Sequence, residues 1–251
     1  MDVLVTWLPI LVLGASMGFL GGIFGIGGGI IAIPILVFLF SMDQATAQGT
    51  AAAMMLPNLL LAWWRYARYN PVGISWAAAA AAAVATLTTW VTANLAQYVS
   101  QGVLQMLFAA FLAMLGVGRL WPLRAVDMRW QVSGRLIPLV GFAGGGCMGL
   151  LGVGGGLVAA PILTGVFGLG QRAAQTIGLA LVTPSAAATL TAYAIHRRVD
   201  WPISCVLAAG GLFTVSYGVK VAHSWSEQRL QRAFGGLLIA MAVIIAGKAL
   251  W

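Results

Sequence analysis

The sequence predicts an all-α, polytopic membrane protein built from two homologous repeats, and three observations predict it. Of 251 residues, 61% are hydrophobic and 7% are charged, with a mean hydropathy of +0.97. A soluble domain is about a quarter charged, so a globule of this composition could not cover its surface with polar groups. Eight apolar segments follow one another, at about 3–40, 45–64, 74–95, 103–120, 136–167, 173–195, 203–221 and 230–250. Finally, GGIFGIGGGIIAIPIL at residues 21–36 returns as MGLLGVGGGLVAAPIL at residues 148–163.

Six of the segments have the length of one spanning helix. The first and fifth are too long. A continuous helix of that length would run roughly 50 Å against a hydrocarbon core of about 30 Å. Each carries its glycine run near the middle, so each is expected to break or fold back there, because glycine is a poor residue for a helix interior. The N-terminal run lacks the basic flank of a cleaved signal and continues past a normal signal core, so it reads as a retained first span. The second segment, 45–64, has a partner in 173–195. With an offset of 127, Gln44, Ala47, Gln48, Ala53, Pro57, Tyr66 and Ala67 meet Gln171, Ala174, Gln175, Ala180, Pro184, Tyr193 and Ala194. The third, 74–95, opens on an alanine tract that suits close helix packing. Its Thr86, Thr88, Thr89, Thr92 and Asn94 lack counterparts in the second half and read as structural, back-bonded residues. The fourth and eighth segments match at an offset of 126, Leu104, Gln105, Phe108 and Leu112 meeting Leu230, Gln231, Phe234 and Leu238. A whole-half duplication results: a first repeat at 1–121, a basic linker at 122–135 and a second repeat at 136–251.

The net charge is +8, from 13 Lys and Arg against 5 acids. Most of the basic residues lie between apolar segments, so they report topology and lipid headgroups rather than nucleic acid. If each long segment crosses once, there are eight spans, four per repeat. Nine basic residues then share one side with both termini and four lie opposite, which places the nine in the cytoplasm. If each long segment crosses twice, the repeats have five spans each and opposite orientation, and the bias is expected to weaken to seven against six. Four plus four is the favoured reading, with an inverted five plus five as the alternative.

A helix broken at membrane depth leaves backbone groups that hydrocarbon cannot satisfy, so such breaks sit inside protein or line a wet cavity. The half-helices beginning after Gly27–Gly29 and Gly154–Gly156 would aim free amides and a positive dipole end at the break, which suits a small anion. Candidate binding residues are Gly25, Gly27, Gly28 and Gly29 with Gly152, Gly154, Gly155 and Gly156. The next helix of each repeat adds Gln48, Thr50 and Asn58, and Gln175, Thr176 and Ser185. Gln48 and Gln175 stand out because they recur and can donate to an oxyanion. The competing reading is packing. Gly14, Gly18 and Gly22, then Gly141, Gly145 and Gly149, form small-residue ladders, and buried polar side chains also serve interhelical hydrogen bonds. Tyr66 and Tyr193 read as interfacial anchors, and His196 with Arg197 and Arg198 as a cytoplasmic boundary cluster or a funnel for anions. Cys147 and Cys205 read as inert buried thiols.

The paired G-x-G-G-G…P-I-L blocks, the Gln- and Ala-containing openings of the next helix and the half-chain duplication resemble the TauE/SafE family of sulfite-exporter-like permeases over nearly the whole chain. The resemblance implies a multi-pass permease of the bacterial inner membrane for sulfite, organosulfonates or related small anions. No cofactor or metal is expected, and the implied partners are the solute, lipids and, as an option, a second copy. All five acids lie near segment ends or in loops, so a buried carboxylate proton relay is not expected. Export of an anion down the membrane potential by alternating access is the leading expectation. Cation-coupled uptake and a non-transporting assembly subunit are the alternatives. A membrane enzyme fits poorly, because the only histidines, His196 and His223, stand alone near segment ends.

Overall fold

The computed structural model describes residues 2–69, 76–120, 137–153, 156–165, 167–168 and 171–249. In chain order the first half gives α1 (Asp2–Phe24), α2 (Gly29–Leu39), α3 (Gln44–Tyr69), α4 (Trp76–Ala96) and α5 (Gln101–Leu120). The second gives α6 (Ile137–Leu151), α7 (Gly156–Gly165), α8 (Gln171–Ile195), α9 (Trp201–Ser224) and α10 (Glu227–Ala249). No strand occurs among the described residues. Among the described residues six helices are long and apolar enough to cross a membrane: α1, α4, α5, α8, α9 and α10. The similarly long α3 is less apolar, which fits its place inside the bundle, where Gln44, Gln48, Thr50 and Asn58 are all buried.

The small-residue ladders decide which helices touch. Gly14, Gly18 and Gly22 of α1 lie in turn against Leu207, Gly211 and Val215 of α9, so closely that an added Cβ would strike backbone atoms. Gly141, Gly145 and Gly149 of α6 lie in the same order against Ala81, Ala85 and Thr89 of α4. This is the packing role the spacing predicts, since hydrocarbon gives helices no hydrophobic reason to associate and close backbone approach supplies the attraction. The alanine tract takes part through Ala81. Of the threonines, Thr86 and Thr92 bond back to Ala82 O and Thr88 O at 2.7 and 2.8 Å, while Thr89 reaches across to Gly145 O at 3.0 Å.

The same contacts fix helix directions. α1 runs parallel to α9. So does α3, because Thr50 meets Asp200, Asn58 meets Gly211 and Tyr66 meets His223. α1 and α3 are therefore parallel to each other, and the chain between them must come back. It does so through α2, whose N-cap Gly28 lies against the Met17 carbonyl, two turns before α1 ends. In the second half, α6 runs parallel to α4, as does α8, with Ala85 near Leu181 and Asn94 bonded to His196. α7 returns in the same manner, its Ala159 sharing a pocket with Val140 and Gly144 of α6. α3 and α8 are antiparallel: Gln48 meets Tyr193, while Tyr66 and Gln175 meet the same end of α1.

These directions differ from the favoured expectation of one crossing per long segment. Such a crossing would make α1 and α3 antiparallel. Each long segment instead folds back on itself at its glycines, so the two halves run in opposite directions.

Several smaller expectations also change. Tyr66 and Tyr193 are fully buried rather than interfacial. Cys205 is exposed and Cys147 half-buried, both as free thiols.

Candidate functional site

Both breaks are built from left-handed glycines. Gly25, Gly27 and Gly28 have φ of 67°, 68° and 88°, and Gly152 has φ 67°. An L-residue with a Cβ is strained there, so the sequence can turn at these points and almost nowhere else in the segment. Gly28 caps α2 without a side-chain bond, and the Ile31 and Ala32 amides reach back to Gly28 O. The amides just before them have no acceptor within the helix. Gly154 and Gly155 lie outside the described residues.

The half-helices start in the middle of the molecule. Gly27, Gly28 and Gly29 lie against Leu59, Met54 and Met55, halfway along α3. Gly156 lies against Gly178 and Val182, halfway along α8. α2 and α7 thus approach from opposite ends and bring their N-termini to one level. The two breaks also meet: a Cβ on Gly156 would stand 3.6 Å from Gly25 O, and a Cβ on Gly25 would stand 3.6 Å from Gln175 Cγ.

The repeat-related glutamines each cross to the other half's break. Gln48 Nε2 donates to Leu150 O at 3.5 Å, and Gln175 Nε2 donates to Phe24 O at 3.4 Å. Both therefore spend their donor on a carbonyl freed where α6 or α1 stops. The tyrosines do the same within their own repeats. Tyr66 Oη donates to Gly22 O and Ile23 O at 3.2 and 3.3 Å, and Tyr193 Oη lies 3.4 Å from Gly149 O. Tyr193 Oη also donates to Gln48 Oε1 at 2.6 Å. Sequence reasoning missed this role, although the recurrence of the tyrosine in both halves was the signal that could have found it. A buried hydroxyl must find an acceptor, and a broken helix end is where spare carbonyls are.

The other candidates divide. Thr50 Oγ1 accepts from the Asp200 amide at 3.0 Å and so joins α3 to the start of α9. Ser185 Oγ donates to Leu181 O at 3.1 Å and borders a small pocket with Ala85, Gly144 and Ala159. Thr176 is buried on α8. Asn58 is fully buried against Gly211, with neither amide atom bonded. Away from the breaks, Arg198 pairs with Asp43 at 3.0 Å, both partly exposed, and Asp43 also accepts from the Thr46 amide. His196 and Asn94 bond at 3.1 Å. Among the described residues no group of His, Cys, Asp and Glu is placed to hold a metal.

Comparison with known proteins places the chain in a family of membrane transporters. The family model for the sulfite exporter TauE/SafE matches residues 10–245. A probable membrane transporter protein of Xylella fastidiosa strain 9a5c is 27% identical, covering 94% of this chain and 93% of its own. Its counterpart in strain Temecula1 is 28% identical with the same coverage. A probable membrane transporter protein of Methanocaldococcus jannaschii is 24% identical, over 95% of both chains. No solved structure matches. A non-transporting assembly role does not suit relatives that are all named as transporters. The chain belongs to the TauE/SafE sulfite exporter family and is a multi-pass membrane transporter rather than an enzyme.

Proposed function

We propose that this transporter carries a small sulfur oxyanion, of the kind its family is named for, out of a bacterial cell across the inner membrane. The observation that carries the reading is the meeting of the two breaks at the level where α2 and α7 begin. Two helix N-termini converging at the membrane midplane give an anion site that needs no cationic side chain. Gly25, Gly27, Gly28 and Gly29 with Gly152 and Gly156 supply its backbone. Gln48 and Gln175 brace it, and Thr50, Asn58, Thr176 and Ser185 line the helices that carry it. Repeats of opposite direction suit alternating access, because each half can take the conformation of the other.

Charge bias supports an orientation. With both long segments folded back, Arg65, Arg68, Arg119, Arg172, Lys220, Arg229 and Arg232 stand at one end of the bundle, and Arg197, Arg198 and Lys248 at the other. Among the described residues the count is seven against three, where the sequence reading expected seven against six over the whole chain. The seven-residue end is assigned to the cytoplasm, which puts the Arg198–Asp43 pair outside. A cysteine at 226 (Ser226→Cys), in the exposed turn between α9 and α10, in a chain lacking the two native thiols should then resist an impermeant thiol reagent in intact cells, and one at 98 (Tyr98→Cys) should react. The opposite pattern would reverse the orientation.

An anion leaving a cell gains about 2.3 kcal/mol per charge per 100 mV, enough to drive export without a coupling ion. In proteoliposomes loaded with sulfite, an imposed potential, negative on the loaded side, should accelerate efflux several-fold. Efflux that ignores the potential would reject this uniport and favour cation-coupled movement.

A further inference from the structure

The two repeats are inverted copies, yet the tyrosines and glutamines beside the breaks are not bonded alike. At the end of α6, Tyr193 Oη lies 3.4 Å from Gly149 O and donates to Gln48 Oε1 at 2.6 Å, while Gln48 Nε2 donates to Leu150 O. The groups related to these by the offset of 127 are Tyr66, Gly22, Gln175 and Ile23. Tyr66 Oη shares its proton between Gly22 O and Ile23 O, at 3.2 and 3.3 Å, and Gln175 Nε2 sits one residue further along α1, on Phe24 O at 3.4 Å. Among the described residues Gln175 Oε1 has no hydrogen-bond partner, although the residue is only 5% exposed. Exchanging its two amide atoms would set oxygen against oxygen, so the unused atom is an acceptor.

One step converts this second arrangement into the first. Gln175 Nε2 moves from Phe24 O to Ile23 O, the carbonyl related to Leu150 O. It displaces the Tyr66 hydroxyl there, and the hydroxyl donates to Gln175 Oε1, the acceptor left idle. A buried acceptor without a donor is costly, and the step satisfies it. Both tyrosine–glutamine bonds join α3 to α8. Those helices are antiparallel, and each glutamine comes seven residues before the level of the breaks, Gln48 before Met55 and Gln175 before Val182. The two bonds therefore lie on opposite sides of that level, each glutamine about 10 Å from it.

Resting on the alternating-access reading above, we infer that Tyr193–Gln48 and Tyr66–Gln175 are two latches between the repeats, of which one is closed at a time. The structure holds the first closed and the second open. Two contacts favour this state: Arg198 pairs with Asp43 at 3.0 Å, and the Asp200 amide donates to Thr50 Oγ1 at 3.0 Å. The positions related to Asp43 and Thr50 are Gly170 and Ile177, whose side chains can make neither contact. Changing state exchanges one tyrosine–glutamine bond for its equivalent. Buried hydrogen bonding stays balanced, so the two states stay close enough in free energy to interconvert. All four side chains are positioning residues: they set which side of the breaks is shut.

The test reads both sides at once in the full chain in nanodiscs, with the two native thiols replaced. Spin labels at Phe40→Cys and Ile195→Cys report the distance across the end where α3 starts. Labels at the repeat-related Phe167→Cys and Arg68→Cys report the end where α3 finishes. The wild type should show a short and a long distance at each end, the short one dominant where α3 starts. Tyr193→Phe should move the short-to-long ratio roughly fivefold toward long at that end and toward short at the other. Tyr66→Phe should move both ends in the opposite sense, by about threefold or more. Gln48→Leu and Gln175→Leu should show the same opposition, and they decide the matter if a tyrosine variant does not fold. Shifts of the same sense in the two halves, as a merely structural loss would give, or no shift at all, would overturn the latches. Two distances in the wild type would then leave alternating access standing. A single unchanging distance at each end, in wild type and variants alike, would remove alternating access as well.

Discussion

Gly18→Leu will leave no properly folded transporter. A Cβ at this position lands on the backbone of Gly211 in α9, where no side chain can swing away. Over-packing a core typically costs about 1–3 kcal/mol when neighbours can adjust. Here the adjustment would have to separate two helices along their whole line of contact, from Gly14 at Leu207 to Gly22 at Val215. α3 also lies against α9, through Asn58 at Gly211, so the disturbance reaches the helix that supports the first break. Expression should collapse, and any extracted protein should melt lower by on the order of 10 °C or more. Gly102→Leu on α5 and Gly236→Leu on α10 are the controls. Among the described residues nothing lies within 4 Å of a Cβ at either site, so both should express and melt like the wild type. A Gly18→Leu protein with normal melting would refute the α1–α9 packing.

Gly25→Ala separates binding from packing. Among the described residues the added Cβ meets nothing closer than 3.6 Å, so the helices can keep their places, but it occupies the space between Gly25 and Gln175. The left-handed φ of 67° adds a local strain of about 1–2 kcal/mol. The variant should fold and melt within several degrees of the wild type, while sulfite flux in proteoliposomes falls by roughly tenfold or more, as when a ligand loses its well-fitted position. Gly28→Ala gives the contrast. Its φ is 88° and its Cβ would sit 2.8 Å from the Met17 carbonyl, so it should lose stability and flux together. A folded Gly25→Ala protein with wild-type flux would show that the meeting point of the breaks does not handle the solute.

Much of this was legible along the chain because the relevant physics is local. Excess length together with glycine marks a break, and a ladder of small residues at every fourth position marks a contact face. Neither needs knowledge of a partner. The identity of that partner was not legible. The ladder of α1 meets α9 of the other repeat, and the ladder of α6 meets α4, so each repeat closes on the other. Buried polar residues were legible as a class, since glutamine inside an apolar segment must be held by something. Their roles were not. Gln48 and Gln175 look equivalent, yet of the two only Gln48 has a tyrosine on its oxygen, a difference set by tertiary packing. Tyr66 and Tyr193 were misplaced because a tyrosine in a membrane protein suggests an interfacial anchor until the free carbonyl it caps is located.

By itself the sequence determined that the chain is helical, lies in a membrane, is duplicated and is interrupted twice by glycine. Composition, segment length and backbone freedom are properties of the chain alone. Only the tertiary structure decided that the long segments turn back rather than cross once, and so that the halves are inverted. That outcome depends on which helices run parallel, which distant surfaces set by packing against one another.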